Sequence, residues 1–293
     1  MAKIIMMRGL PASGKTTKAK EIMEQGGNFA RVNKDLLREM LHCGRFTGRN
    51  EGVTIDAEIA LVRKLVNLSR SVIVDDTNLS DKHLQRWKGV AAELGVKLDV
   101  NDMGTPYQEC ITRDEQRLNG VGRHVIYQMA MEYGYIPEGT AFTICDVDGT
   151  LADLTHRYRF LYDDVESLKP KEKKDWKGFF KAAGDDKFRQ EVWEQVSRFS
   201  PDVILVSARP EQYRAPTVAW LQRNGILQGI GYKTLIMRRD GDKRDDTIVK
   251  KEILDRYFKR YKVERVFDDR PRVIRMWQEN GIKVIDVGYG KEF

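Results

Sequence analysis

The chain has 293 residues, 41% apolar and 32% charged, with a formal net charge of +7. That length is a prior for about two domains, and that composition suits proteins that bury cores. No apolar run approaches the roughly 20 residues that a membrane span needs. The opening MAKIIMMRGLP is ended by Gly9 and Pro11 and reads as a first strand rather than a signal peptide. Cys43, Cys110 and Cys145 are isolated, without zinc spacing or a disulfide framework, which favours a reducing cytosol. The charge permits a polyanion partner without requiring one.

Short apolar runs alternate with longer helical patterns, the βα rhythm of parallel sheets. In the first half, strands are expected over residues 3–8, 29–32, 71–74 and 96–100. Helices are expected over 14–24, 56–69, 81–94 and 107–117, followed by one with Tyr127, Met131 and Tyr135 on one face. Residues 9–16 read GLPASGKT, which fits G-x-x-x-x-G-K-[ST] between a strand and a helix. Glycines let the backbone wrap a phosphate, and the helix N-terminus adds positive charge. The nucleotide is assigned to Gly9, Ser13, Gly14, Lys15, Thr16 and Thr17. Lys15 would neutralise the outer phosphates of ATP, and Thr16 would ligate Mg²⁺.

Asp35 and Arg38 follow the second strand, at the sheet edge where ligands bind. Asp35 is either a general base for an acceptor hydroxyl or a plain N-terminal helix acid. Arg38 lies one turn on. Asp75 and Asp76 end the third strand, and either can support Mg²⁺ or its waters. Arg113 and Arg117 share a helix face. They form either a lid over the phosphates or an ion-pair stripe with Asp114 and Glu109.

YIPEGT (135–140) supplies Pro and Gly, so the domains are drawn as 1–140 and 141–293. The second half restarts with a strand over 141–145, and further strands fit 202–206, 232–236, 263–267 and 283–287. Residues 154–186 break the rhythm. They are polar, with KPKEKKDWKGFFK at their centre, and read as an insertion over the sheet whose charges form a solvated helix.

The first strand of this half ends in CDVDGT (145–150). A strand ending in D-x-D-G-T resembles the nucleophile loop of the haloacid dehalogenase-like phosphatases. That resemblance implies that Asp146 attacks phosphorus to form an aspartyl-phosphate. Asp148 would protonate the leaving oxygen and then activate water. Mg²⁺ would offset the crowded carboxylates. Three further features of that fold stand at later strand ends or helix starts, in order: Ser207 with Arg209, Asp246 with Lys250, and Asp268 with Asp269. The metal set is Asp146, Asp148, Asp268 and Asp269, with Thr16 serving the first site.

The fold class is therefore α/β in two domains, a P-loop kinase sheet followed by a Rossmannoid phosphatase with a helical cap insertion. The whole chain resembles the T-even phage-type polynucleotide 5′-kinase/3′-phosphatase family. The resemblance implies Lys15 and Thr16 in the P-loop, Asp35 as base for a 5′-hydroxyl, and Arg38 on the acceptor phosphate. It also implies Asp76-Thr77-Asn78-Leu79 as a family segment, and Arg113 and Arg117 in the lid. In the phosphatase it implies Asp146, Asp148, Arg157, Ser207, Arg209, Asp246, Lys250, Asp268 and Asp269.

The implied activity is transfer of the ATP γ-phosphate to 5′-OH ends of RNA or DNA, with removal of a 3′-phosphate or opening of a 2′,3′-cyclic phosphate. The implied partner is a polynucleotide ligase, the assembly a homotetramer, and the setting the cytoplasm of a phage-infected bacterial host. Two departures stand out. The insertion between Asp148 and Ser207 is longer and is expected to cap the phosphatase pocket. RLNGVGRH (117–124) is Gly-rich, which makes Arg123 a second candidate for the role of Arg117. The rival reading is a small-molecule P-loop kinase fused to a nucleotide or sugar phosphatase. A nucleotide-regulated binding module with dead sites is a third.

Overall fold

A computed structural model of the chain describes residues 2–199 and 202–288. It divides into two compact units, Met1–Tyr135 and Ile136–Phe293, so the division falls inside the YIPEGT stretch.

The first unit is a four-stranded parallel sheet in the order β2-β3-β1-β4. Its strands are β1 (Lys3–Arg8), β2 (Phe29–Val32), β3 (Ser71–Val74) and β4 (Lys97–Asp102). Its helices are α1 (Lys15–Glu24), α2 (Lys34–His42), α3 (Gly48–Asn67), α4 (Asp81–Glu93), α5 (Tyr107–Glu115) and α6 (Arg123–Tyr133). The apolar run of β1 is buried on both faces, as a central parallel strand requires. Ile4 and Met6 pack with Val62, Val66, Trp87 and Val90 of α3 and α4. Ile5 and Met7 pack with Ala19 of α1. With helices on both faces, ligands are left the edge where the strands end.

Two helix boundaries differ from expectation. α3 begins at Gly48 rather than near residue 56, because Thr47 caps it by accepting from the Asn50 N–H. Its first two turns face α2 through polar groups, so the apolar period does not reveal them. α5 ends at Glu115, and Arg117 lies in the turn beyond, its N–H donating to the Asp114 carbonyl.

The second unit is a five-stranded parallel sheet in the order β11-β10-β5-β12-β13. β5 (Ala141–Asp146) leads to the insertion, which holds β6 (Ala152–Asp153), β7 (Tyr162–Asp164), β8 (Lys169–Pro170), α7 (Trp176–Lys181) and β9 (Lys187–Phe188). β6 pairs with β9 and β7 with β8, both antiparallel, and 3-10 turns run over Thr155–Phe160 and Ala182–Asp185. Then follow α8 (Gln190–Phe199), β10 (Val203–Pro210), α9 (Arg214–Arg223), β11 (Thr234–Arg238), α10 (Asp246–Tyr257), β12 (Lys262–Asp268), α11 (Pro271–Glu279) and β13 (Val284–Asp286). β5 is central, so the carboxylate that ends it is flanked by the ends of β10 and β12. No helix among the described residues is long and apolar enough to cross a membrane.

Candidate active sites

The P-loop joins β1 to α1. Gly9 takes φ 154°, and a Cβ there would meet Ser13 Oγ at 2.7 Å, so only glycine lets the loop close. Lys15 is buried, and its Nζ donates to the carbonyls of Gly9 (3.0 Å) and Leu10 (2.6 Å). Burial lowers its pKa, an effect that the Asp75 carboxylate opposes and the charge of Arg117 adds to. Lys15 makes no ion pair among the described residues, and the loop lies at the N-terminus of α1. An anion such as a nucleotide polyphosphate would supply the missing counter-charge. The Asp76–Leu79 segment braces this loop from behind. Gly9 N–H donates to the Thr77 carbonyl (3.0 Å), and Asn78 Nδ2 donates to the Met7 carbonyl (2.9 Å).

Thr16 Oγ1 donates to Asp75 Oδ2 at 2.8 Å, and Arg31 Nε donates to the same oxygen at 2.7 Å. Of the two acids that end β3, Asp75 is therefore the one beside Thr16. Asp76 turns to α2, where its Oδ1 accepts the Lys34 N–H at 2.9 Å. Asn33 caps α2 by accepting the Leu36 N–H, and its Nδ2 donates to the Asp75 carbonyl. This splice sets the start of α2, and with it Asp35. Asp35 is exposed and pairs with Arg38 at 2.6 Å, while Arg38 is held from its other side by Glu51 of α3 at 2.9 Å. The two residues expected to meet an acceptor do share one face.

The lid residues are divided. Arg113 pairs with Glu109, and a Cβ on Gly14 would lie 3.6 Å from its guanidinium. Arg123 pairs with Glu115 at 2.7 Å. Asp114 does not belong to a surface stripe. It is buried and accepts the N–H groups of Val121 (3.1 Å) and Gly122 (2.8 Å), tying down the Gly-rich loop.

In the second unit, Asp146, Asp268 and Asp269 bring carboxylate oxygens within 4.8 Å of one another, all three buried. Lys250 Nζ lies 2.9 Å from Asp146 and 2.8 Å from Asp268. Trp277 Nε1 donates to Asp268, and Thr150 Oγ1 donates to Asp269. Asp148 is held separately. Arg209 binds it through Nε (2.8 Å) and a terminal nitrogen (2.7 Å), Arg157 pairs with it, and Ser207 Oγ donates to it at 3.4 Å. Both arginines also reach Asp186, at 2.8 and 3.0 Å. Asp246, expected beside Lys250, stays outside this group and pairs with Arg238 and Arg270.

Burial pushes Asp148 up as well, but Arg209 and Arg157 outweigh it and hold the carboxyl far below the usual range. Burial raises Asp146 well above the ordinary value, and Lys250 reverses only part of this. Burial, then Asp268 beside it, pushes Asp269 up to about 7. Five carboxylates (Asp146, Asp148, Asp186, Asp268, Asp269) meet three contacting cations (Arg157, Arg209, Lys250), so full ionisation leaves two negative charges. A hard divalent cation matches both that charge and an all-oxygen donor set. The residues fit a metal at the Asp146–Asp268–Asp269 trio. Asp148's side chain is committed to its arginines.

Sequence reasoning missed three acids. Asp186 closes the arginine cluster from the end of the insertion, where only an Asp pair among polar residues hinted at it. Glu51 holds Arg38. Glu58 is fully buried on α3, in the stripe Thr54, Glu58, Val62, Val66. An acid at an otherwise apolar i, i+4 position was the available signal.

One chain thus carries two parallel-sheet domains, a P-loop nucleotide-binding domain and a haloacid dehalogenase-type phosphatase domain with a buried carboxylate trio. It belongs to the family described as the polynucleotide kinase PNKP phosphatase domain, whose model matches residues 140–292. A second model, described as an AAA domain, matches residues 4–134. A protein of Autographa californica nuclear polyhedrosis virus, named as a bifunctional polynucleotide kinase/RNA ligase, is 26% identical over 97% of this chain. The chain spans 42% of that relative's length. Among solved structures, a chain of the Pnkp1/Rnl/Hen1 RNA repair complex is 26% identical, with a TM-score of 0.42 over 99% of this chain and 97% of that one. The Mycobacterium tuberculosis APS kinase CysC is 22% identical, with a TM-score of 0.35 over 39% of this chain and 69% of the other.

Proposed function

We propose that the chain is a bifunctional nucleic-acid end-healing enzyme, which phosphorylates 5′-OH ends of RNA or DNA from ATP and removes 3′-phosphates or opens 2′,3′-cyclic phosphates. The observation that carries this reading is the presence on one chain of a P-loop with an exposed Asp–Arg pair and a buried carboxylate trio with its lysine. One site adds a phosphate and the other removes one, so the two must act on different positions of a substrate.

In the kinase half, Asp35 takes the proton of the attacking hydroxyl. Arg38, fixed by Glu51, holds the acceptor's phosphate. Lys15 turns from the loop carbonyls to the phosphates of ATP, where it offsets charge that develops during transfer. Thr16 and Asp75 would hold Mg²⁺ or its water shell, and Arg113 with Arg117 or Arg123 closes over the phosphates.

In the phosphatase half, Asp146 attacks phosphorus and carries the phosphoryl group as an acyl phosphate. Ser207 and Lys250 hold the non-bridging oxygens. Arg157 and Arg209 orient Asp148 and hold it as a carboxylate, the form that takes a proton from the water that hydrolyses the acyl phosphate; protonating the leaving oxygen requires that substrate binding first weaken those two ion pairs. Asp146, Asp268 and Asp269 would hold Mg²⁺, which would supply positive charge to offset the repulsion between these carboxylates and a phosphate. Asp246 acts through Arg238 and Arg270, which frame the start of α10 and so the position of Lys250.

The ligase in the viral relative's name supports a ligase as the consumer of the healed ends. A homotetramer and a cytoplasmic setting in an infected host are part of the same proposal. The test uses one oligonucleotide bearing a 5′-OH and a 3′-phosphate, with γ-labelled ATP and Mg²⁺. The expected result is label gained at the 5′ end and phosphate lost from the 3′ end. Asp35→Asn should abolish only the first, by about 1,000-fold or more, and Asp146→Asn only the second. Loss of the 3′-phosphate with no 5′ label would move the kinase to a small-molecule acceptor. Loss of both activities from either single change in folded protein would sink the two-site model.

A further inference from the structure

An aromatic row that the chemistry above does not use runs from the insertion to the turn after β10, exposed at Trp176 and half-buried at Phe180 and Tyr213. Trp176 is 45% exposed at the start of α7. Its ring stacks on Phe180 at 6.1 Å and 26°, and Phe180 lies over Tyr213 at 5.3 Å and 34°. Phe179, three residues on and in edge contact with the Trp176 ring, is buried. Anchoring of the helix therefore falls to Phe179, and Trp176 is left facing water. An exposed Trp whose neighbour already fills the core is not explained by packing.

The row stands directly on the machinery that holds Asp148. Arg157 lies 4.3 Å from the centre of the Phe179 ring and pairs with Asp148. Trp176 meets Phe179 edge-on at 5.6 Å. At the other end of the row, the Tyr213 carbonyl accepts from Thr217 Oγ1, and that oxygen receives Arg209. Two residues, Phe179 and Arg157, thus separate the exposed indole from Asp148. α7 is fixed in place, because a Cβ on Gly178 would meet the Phe160 ring at 2.7 Å and Asp175 caps the helix by accepting the Gly178 N–H.

The segment around the row is basic. Residues 169–181 hold six lysines against Glu172 and Asp175. Lys169, Lys171, Lys173, Lys174, Lys177 and Lys181 make no ion pair among the described residues, and Lys174 Nζ sits 5.8 Å from the Trp176 ring. A stacked Trp–Phe pair in a segment with unpaired ammonium groups matches what a single strand offers, namely base faces at intervals along a phosphate chain.

We propose that α7 and the lysines beside it form a stacking platform for the last nucleotides of a single-stranded polynucleotide, whose 3′-phosphate enters the Asp146 pocket. This deepens the phosphatase reading and rests on it. Trp176 takes a base by stacking, and the lysines track the backbone. Neither touches the reacting atoms, so the platform acts on binding and leaves the chemical step alone.

The experiment measures the full chain on a single-stranded oligonucleotide 3′-phosphate and on p-nitrophenyl phosphate, which has no strand to hold. Trp176→Ala should raise KM for the oligonucleotide about 10-fold with kcat unchanged, and leave the aryl phosphate unaltered. Trp176→Phe, which keeps a ring, should restore most of the affinity. Replacing Lys174, Lys177 and Lys181 together by Gln should flatten the fall of oligonucleotide affinity with salt, by roughly 0.7 in logarithmic slope for each phosphate contact removed. Equal oligonucleotide KM values for wild type and Trp176→Ala, with wild type active on both substrates, would overturn the platform alone. Equal losses on both substrates would also overturn it, because α7 would then act only by bracing Arg157. A wild-type enzyme that cleaves the aryl phosphate but no 3′-phosphorylated strand would remove the polynucleotide reading itself.

Discussion

Glu58 shows what a single side chain contributes when no cation pairs with it. It is fully buried, its two oxygens and Asp76 Oδ2 have no donor, and acceptors that face one another bond only if one carries a proton. Burial, then Asp76, pushes the Glu58 carboxyl up to about 10 from 4.5. The folded state therefore binds a proton that the unfolded chain releases above 4.5. The stability from this pair is full below 4.5 and is lost as pH rises towards 10. The expected slope is up to about 1 kcal/mol per pH unit. Glu58→Gln keeps a donor for Asp76 without a titrating proton, so its melting temperature should fall less than wild type between about pH 6 and 9. A parallel decline in both proteins would mean that Glu58 stays ionised. The same residue argues against reading α3 as a plain amphipathic helix, since its buried stripe holds Thr54 and Glu58 as well as valines.

At the scale of elements, the two sites depend on how strands hand over to loops and helices. The turn after β5 keeps Gly149 at φ 83°, and a Cβ there would lie 2.0 Å from Asp269 Oδ2. An alanine would have to displace a carboxylate of the trio, beyond the strain of a left-handed backbone. Gly149→Ala should therefore lower phosphatase activity by about 100-fold or more and leave kinase activity intact, read on the two-ended oligonucleotide. An undiminished phosphatase would show that the turn has room to relax. In the kinase half the corresponding joint is Asn33. Its side chain caps α2 and ties that helix to the Asp75 carbonyl, so Asp35 and Arg38 inherit their place from a cap.

For the molecule as a whole, each unit closes its own sheet and core, and the boundary has a consequence for dissection. Ile136 is buried, the Gly139 N–H donates to the Arg260 carbonyl at 2.8 Å, and the Lys262 N–H donates to the Thr140 carbonyl at 3.0 Å. A fragment of residues 136–293 keeps both hydrogen bonds, whereas one starting at 141 loses them. The longer fragment should fold alone with phosphatase activity on p-nitrophenyl phosphate. The shorter should be less stable by about 1–3 kcal/mol in urea, through the two lost hydrogen bonds. Equal midpoints would place the working boundary at the start of β5 instead.

The sequence by itself determined both sheets and the motifs at their edges. Strand-length apolar runs that alternate with helices admit little else, and GLPASGKT, CDVDGT and the pairs at Ser207, Lys250 and Asp268 each sit towards a strand end or at a helix start. Such features are local, written in consecutive residues, and so survive without coordinates. Only the tertiary structure decided which acids share a charge. Asp148 belongs with Arg157, Arg209 and Asp186, while Asp246 belongs with Arg238 and Arg270 rather than with the trio. It also moved Asp114 from a surface stripe to a buried loop anchor, and added an aromatic row beside the solvated lysines of the insertion. The reason is physical. Ion pairing and desolvation depend on distances of a few ångströms between residues far apart in the chain, and no period or motif records these.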